Sequence, residues 1–321
     1  MRSLVSLLAV LALGCGPLSP YQTKLRAKYP SDRTPHVEAA GVVLGGKVWL
    51  ISGTPGSSSN GCNCEADATT DVDIYDPATD SWSSGPKVNA ARSEYPNAYL
   101  VGDTVYLVGG VGPNVERRGV EKLAPPYTAW EAIPNSNSPG YAGFTRAAGV
   151  IDGKIVSVLP DGDTATAYVF DPVTAAWSTK ASRPNGASFT AGAVIGGKLY
   201  MLGGLDAAAK ESREIVAYDL ASDTFSTAGT LPAPVQRPTS SIYEHFAVVL
   251  GGEIVTTGGD TAGTTIATFD PTTGKAARYE DGLTIARSDH VAAVVNDHLY
   301  LLGGIEPSTS EALVPTIEIW K

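Results

Sequence analysis

The sequence predicts an all-β fold built from one short unit repeated along the chain. The main sign is an apolar strand that ends in two glycines: HLYLLGG at 298–304, KLYMLGG at 198–204 and TVYLVGG at 104–110. Weaker copies occupy 47–53, 154–160 and 253–259. The six copies recur at intervals of roughly 45–57 residues, which indicates a repeat architecture. The composition agrees, because 35 glycines, 22 prolines and a charged fraction of only 17% suit many short strands joined by turns.

Each unit continues after the glycines in a fixed order. A variable loop leads to a third strand that ends in an aromatic residue and Asp, and a second aromatic residue follows six positions after the Asp. Such sets are Tyr75-Asp76 with Trp82, Phe170-Asp171 with Trp177, and Tyr218-Asp219 with Phe225. This order resembles the kelch repeat and covers nearly all of the chain after about residue 23. The resemblance implies a six-bladed β-propeller with four-stranded antiparallel blades.

Two observations bear on the regularity of the ring and on its closure. The third copy has Pro160-Asp161 where the diglycine is expected, and the first has Ser52-Gly53, so we expect these two blades to depart most from the pattern. The sixth unit stops at 316–321 without a fourth strand. We predict that residues near 23–29 pair beside it and close the ring, which would remove two exposed sheet edges. Residues 23–321 would then form a single propeller.

The first residues predict export. Arg2 precedes an apolar run, Leu4–Leu13, that is too short to span a bilayer. The ALGC sequence that ends at Cys15 resembles the lipobox of bacterial lipoproteins. That resemblance implies a signal peptide at 1–14, lipidation of Cys15, a tether at 15–22 and a place in the bacterial cell envelope, at the outer membrane. Simple secretion is the alternative. Membrane contact would be through the lipid anchor alone.

The charge balance restricts the partners. A formal net charge of −10 disfavours nucleic acid, whose phosphates need a basic surface, and also disfavours broad adhesion to anionic lipid. We number the strands of a blade outward from the axis as inner, second, third and outer. Connections from outer to inner and from second to third strands then share one side, the loop face, and the short regular turns share the other, the turn face. Variable loops on a rigid frame favour the loop face as the working surface.

An arginine occurs in each of the six connectors that lead from an outer strand to the next inner strand. These are Arg33, Arg92, Arg146, Arg183, Arg237 and Arg287. Together with His245 and His290, which align at the start of their inner strands, they form a candidate anion-binding mouth, because guanidinium groups bind carboxylates in a bidentate way. The alternative is internal: the arginines cap carbonyl groups or pair with acids of the second-to-third loops. Those acids are Asp163, Asp206, Asp260 and Glu306.

Two cysteines, Cys62 and Cys64, share the long loop of the first unit. In an exported protein they most simply form a disulfide with each other; a thiolate metal site and an intermolecular bond are the alternatives. The four histidines show no metal-ligand spacing. We therefore predict neither a metal nor a cofactor.

These features favour a membrane-anchored, extracytoplasmic binding module, expected to be a monomer, that presents its variable loop face to a protein or glycan partner. An acidic partner would suit the arginines. One alternative is a sugar-directed enzyme resembling the bacterial sialic acid mutarotase, which is also a kelch propeller; an arginine-lined mouth would suit an acidic sugar. Another is a structural role in assembly of the envelope. An enzyme should gather acid and base groups in the mouth, whereas a binding module should show a broad and uneven loop surface.

Overall fold

The structure is a ring of six four-stranded antiparallel sheets. It is a computed structural model and describes residues 23–30, 32–55, 67–93, 96–112, 119–137, 147–161, 163–184, 190–206, 208, 210–233, 245–258, 264–279, 282–306 and 312–320. No helix in these ranges is long and apolar enough to cross a membrane. The all-β, six-bladed prediction is confirmed.

Each blade consists of an inner, a second, a third and an outer strand, in that order from the axis. Blade 1 comprises Ala40–Leu44, Lys47–Ile51, Val72–Asp76 and Ser81–Ser84; blade 2 comprises Asn97–Val101, Thr104–Val108, Val120–Leu123 and Glu131–Ile133. Blade 3 comprises Ala148–Ile151, Lys154–Asp161, Thr164–Asp171 and Ala176–Pro184; blade 4 comprises Ala191–Ile195, Lys198–Leu202, Glu214–Asp219 and Thr224–Thr230. Blade 5 comprises His245–Leu250, Glu253–Gly258, Ile266–Asp270 and Lys275–Tyr279; blade 6 comprises Val291–Val295, His298–Leu302, Thr316–Trp320 and Thr23–Lys28. A further short ladder joins His36–Val37 to Thr54–Pro55.

The amino-terminal strand closes the ring, as the sequence predicted. Thr23–Lys28 runs antiparallel to the third strand of blade 6, with Thr23 opposite Trp320 and Lys28 opposite Thr316. The register shifts once, between Arg26 and Lys28. The blade at the seam therefore has the same four strands as the others although its sequence comes from both ends of the propeller.

The hydrophobic core lies between adjacent blades. One cluster joins Val48 and Leu50 of blade 1 to Val291 and Tyr300 of blade 6, all of them buried. At the axis the inner strands approach closely over small residues: a Cβ added to Gly41 would lie 2.3 Å from a methyl carbon of Val291. The narrow space of about 170 Å³ at the axis is lined largely by small side chains, including Ala98, Ala148 and Ala292.

The diglycines allow the connectors to cross the blades. In blade 6, Gly303 and Gly304 have φ of 69° and 83°, in the region that favours glycine. A Cβ on Gly303 would lie 2.3 Å from the carbonyl oxygen of His36, and the N–H of Gly304 donates to that same oxygen at 3.0 Å. His36 belongs to the connector that leaves blade 6 for blade 1. The repeated glycines are thus explained by close backbone approach, with no ligand required.

Blade 3 departs from the pattern by extension, and this departure was predicted from its missing diglycine. Its second strand does not break after five residues but continues over eight, Lys154–Asp161. The pairing runs to Asp161 opposite Thr164, and the outer strand follows as far as Pro184 opposite Thr164. The result is a three-stranded extension that rises on the loop face.

The turn face is a scaffold of similar hairpins. The lysine of the turn between inner and second strands pairs with the Asp that ends the third strand: Lys47 with Asp76 at 3.0 Å, Lys198 with Asp219 at 3.2 Å, and Lys154 with Asp171. These carboxyl groups also accept backbone N–H bonds from the following turn. The predicted aromatic pairs face each other across the third and outer strands, with ring centroids 4.8–5.2 Å apart.

Candidate binding site on the loop face

Arg92 lies inside the molecule. Its side chain is 3% exposed, and Nη1 donates to the carbonyl oxygens of Gly109 and Gly119 at 2.9 and 2.8 Å. Nη2 donates to Oε1 of Glu121 at 2.6 Å. The second carboxylate oxygen of Glu121 accepts from the backbone N–H of Asn89 at 2.9 Å. The guanidinium therefore fastens the connector from blade 1 onto the third strand of blade 2.

Arg287 repeats this arrangement in blade 6. It is fully buried, and Nη1 donates to the carbonyl oxygens of Leu301 and Thr316, each at 3.2 Å. Nη2 lies 3.5 Å from Oε2 of the equally buried Glu318, whose carboxylate also accepts from the N–H of Thr284. Burial lowers the pKa of Arg287 to about 10, and the opposing charge of Glu318 limits that fall. We call Arg92–Glu121 and Arg287–Glu318 the closed pairs.

Arg33 and Arg183 form similar pairs that remain partly open to solvent. Arg33 binds Asp73 through Nη1 and the hydroxyl of Ser84 through Nη2, the latter at 3.0 Å. Nη2 of Arg183 donates to Oε2 of Glu214 at 2.8 Å. The arginine side chains are 19% and 16% exposed. These two are the open pairs. In three of the pairs an arginine of a connector reaches an acid on the third strand of the next blade. Arg183, predicted to lie in a connector, lies instead on the extended outer strand of blade 3 and reaches blade 4 in the same way.

The acids of these pairs were missed by the sequence reasoning, which had proposed acids of the second-to-third loops as internal partners. Asp73, Glu121 and Glu318 each lie two residues before the aromatic position of the third strand. The available signal was an acid inside an otherwise apolar strand, as in TIEIW and VDIYD. A buried acid needs a partner, and the arginine of the connector that leads into its blade supplies it.

His290 and His36 also contact groups inside the molecule. Nε2 of His290, which is fully buried, lies 2.8 Å from the hydroxyl of Thr257. His36 approaches the carbonyl oxygen of Ser52 at 2.6 Å through Nδ1, and its Nε2 lies 3.3 Å from Asp73. The remaining predicted positions lie outside the described residues: Cys15, Cys62, Cys64, Arg146, Arg237, Asp260 and the side chain of His245. Among the described residues no group of three or more His, Cys, Asp or Glu is placed to hold a metal ion.

Two cavities in the described part of the chain open beside the open pairs, on the loop face. The first, about 350 Å³, lies between blades 3 and 4 and is lined by Arg183, Glu214, Asp206, Ser212, Met201 and Val216 among others. The second, about 430 Å³, lies beneath the connector from blade 6 to blade 1 and is lined by Asp32, Arg33, His36, Asp71, Asp73 and Lys87 among others. In the second cavity the Lys87 ammonium holds the pKa of Asp71 below its usual value.

The departure of blade 3 builds the first cavity. The extended third and outer strands carry Ala165 and Arg183, which lie directly opposite each other in the ladder and form one wall. The second-to-third loop of blade 4, fixed by the bridge between Leu205 and Glu211, supplies the facing wall. A blade of regular length would end below this level, so the irregular repeat creates the concave surface.

Comparison with known proteins agrees with this fold. The chain is 26% identical over 281 residues to the Kelch-like protein terF of Aspergillus terreus, covering 80% of the chain and 60% of that protein. It is 28% identical over 194 residues to Kelch-like protein 25 of Xenopus tropicalis, covering 56% of the chain and 30% of that protein. The chain is thus similar to kelch-repeat proteins in sequence. No family model matches it.

The solved structures support the same conclusion at the level of fold. The structure of YjhT superimposes with a TM-score of 0.67 over 90% of this chain and 95% of that chain, at 17% sequence identity. The kelch chain spans 60% or less of the lengths of the two curated relatives. The kelch propeller fold suggests a protein-interaction or binding module.

Proposed function

We propose that this kelch propeller is a membrane-anchored, extracytoplasmic binding module that presents its loop face to a protein partner. The observation that carries the proposal is the placement of both described cavities on the loop face, each beside an open arginine–acid pair. The opposite face consists of short turns, and lysine–aspartate pairs stabilise those of blades 1, 3 and 4. Concave polar sites set among irregular loops on a rigid frame suit recognition.

The closed pairs limit which of the predicted arginines could bind an anionic partner. Arg92 and Arg287 donate to carbonyl and carboxylate oxygens inside the blades, so an anionic partner would have to break these contacts before it could use them. The open pairs, Arg33 and Arg183, retain exposed surface. Recognition at the loop face therefore depends on mixed charges around these two positions and not on a ring of free guanidinium groups.

The face that binds can be tested by site-specific crosslinking. Ala208 is exposed at the rim of the first cavity, and Val173, 93% exposed, lies at a hairpin of the turn face. A photoreactive amino acid at Ala208 should crosslink a protein from an envelope extract, whereas the same group at Val173 should not. Equal crosslinking from both positions would contradict a loop-face module.

The anchor needs its own experiment. In the full-length protein Cys15 should incorporate labelled palmitate and place the propeller in the membrane fraction. A Cys15→Ala variant should lose the label and appear in the soluble fraction. Label that persists in the variant would contradict lipidation at this position.

A second candidate function is recognition of, or chemistry on, a carbohydrate. The second cavity favours it, because His36 lies beside Asp73 in a pocket that also contains Arg33, Asp71 and Lys87, so donors and acceptors for sugar hydroxyl groups surround one space. Incubation with reducing acidic sugars, followed by NMR of the anomeric ratio, tests catalysis. Acceleration that a His36→Gln variant abolishes would favour the enzyme over the binding module.

A further inference from the structure

We propose that the cavity between blades 3 and 4 receives a basic side chain, lysine or arginine, of the protein partner. The inference rests on the proposed function, since it names what the loop face recognises. It draws on the charge of the cavity, on the character of its walls and on its volume.

The charge of the cavity is negative. Two carboxylates, Asp206 and Glu214, line it together with one guanidinium, that of Arg183. Oε2 of Glu214 accepts from Arg183 at 2.8 Å, so the pair is neutral as a unit. Oδ1 of Asp206 accepts from the N–H groups of Ala208 and Lys210, both at 2.9 Å. Within the described residues no partner binds Oδ2, which leaves one carboxylate charge uncompensated in the cavity.

The walls suit a long side chain with a polar end. Met201, Val216 and Ala165 are 5%, 4% and 3% exposed and form the apolar part of the lining. Lysine and arginine place their methylene stems along such surfaces while their charged ends bind acids. The volume of about 350 Å³ is near the lower limit of small-molecule sites, roughly 300–1,000 Å³, so it admits one such side chain and not a folded loop.

An anion fits this cavity less well. To bind Arg183 it would compete with Glu214, and a displaced Glu214 would become a second uncompensated carboxylate near Asp206. Two like charges in a partly dry site repel each other. A cation, by contrast, can bind Asp206 without disturbing the pair. The loop face is therefore matched to a basic partner here, the opposite of the acidic partner that the connector arginines suggested.

The chain offers a direct reporter for this cavity. Its sequence has two methionines, Met1 and Met201, and Met201 lines the site. In protein labelled with ¹³C at the methionine methyl groups, the Met201 signal should shift in a saturable way as n-butylguanidinium is added. Neutral n-butylurea and anionic valerate have matching stems and should produce little shift.

Two variants distinguish the effect of the Asp206 charge from the effect of the cavity's size. Asp206→Asn keeps the size and the accepting oxygen, and should weaken n-butylguanidinium binding about tenfold, because a charge-assisted contact becomes a neutral one. Glu306 provides the matched control: it holds the same place after the diglycine of blade 6, in a loop of similar geometry, but lines neither cavity. Glu306→Gln should leave the binding unchanged.

Several results would overturn the inference: a larger Met201 shift with valerate, an equal shift with n-butylurea, no shift with n-butylguanidinium, or equal weakening by Asp206→Asn and Glu306→Gln. The failure of the proposed function looks different. Crosslinking from Ala208 without a Met201 shift would remove the cation cavity and leave the loop-face module standing. Crosslinking equally from both faces would contradict the module, whatever the Met201 signal does.

Discussion

Replacement of Arg92 by methionine should destabilise the propeller far more than the same replacement of Arg183. Methionine keeps an unbranched apolar stem but has no charge, so in blade 2 it leaves Glu121, 2% exposed, as a buried carboxylate without its ion partner. It also removes the donor to the carbonyl oxygens of Gly109 and Gly119. Breaking one side of a buried pair costs about 3–5 kcal/mol of the free energy of unfolding.

Arg183→Met is the matched control because it breaks an open pair. Arg183 is 16% exposed and Glu214 is 38% exposed, so water can solvate the carboxylate that remains. A pair of this kind contributes roughly 0–1 kcal/mol. The double variant Arg92→Met with Glu121→Gln should recover part of the loss, since glutamine carries no charge and can still accept from Asn89.

The assay is equilibrium unfolding in urea, followed by tryptophan fluorescence and far-ultraviolet circular dichroism. Coincident transitions would justify a two-state treatment. With a urea dependence of about 3 kcal/mol per M, Arg92→Met should lower the midpoint by roughly 1–1.7 M, and Arg183→Met by no more than about 0.3 M. Equal shifts for the two variants would refute the distinction between closed and open pairs.

Three further predictions test the contacts that hold the six-bladed ring together. Gly303→Ala should lower the melting temperature more than Gly252→Ala, because both glycines have positive φ but only at Gly303 would the new methyl group meet backbone, the carbonyl oxygen of His36; equal losses would mean that this contact does not matter. Deletion of residues 1–28 should raise the apparent mass in light scattering, since the last blade then exposes an unpaired strand edge, and an unchanged mass would argue against closure by this strand. The hydrogen bond from Lys154 lowers the pKa of Asp171 in the folded protein. The stabilisation from this carboxylate is therefore present above the unfolded pKa of about 3.9 and is lost as the pH falls through the lower folded pKa. The melting temperature should fall below about pH 4, less steeply in Lys154→Gln, and a decline of equal steepness in both proteins would count against this pair.

The sequence predicted the six-bladed ring well because its strands and turns follow from short, repeated sequence patterns. Diglycine, hairpin turns and aromatic pairs each recur in several units, and that repetition can be recognised without knowing which distant residues they contact. The seam could also be predicted, since a missing fourth strand at 316–321 and a spare strand near 23–29 complete each other. Blade 3 was expected to be irregular from Pro160 and Asp161, although the extension that resulted was not.

The sequence of the connectors alone could not predict which groups the arginines bind. Their positions vary, and whether a guanidinium turns inward depends on an acid about 30 or more residues away, as with Arg92 and Glu121. The cavities were missed for the same reason. The first exists because a long ladder in blade 3 faces a loop of blade 4, and neither segment alone indicates a concave site.

The strand at the seam also has a mechanical consequence. Thr23 lies opposite Trp320 at the turn-face end of blade 6, and the strand then runs towards the loop face. If Cys15 carries the lipid, as proposed, a partner pulling on the loop face would draw Thr23–Lys28 along its own length against its neighbour. Tension in that direction loads the ladder in shear, so several hydrogen bonds resist together instead of opening one after another. The same strand that completes the ring would thus serve as the molecule's tension-bearing attachment.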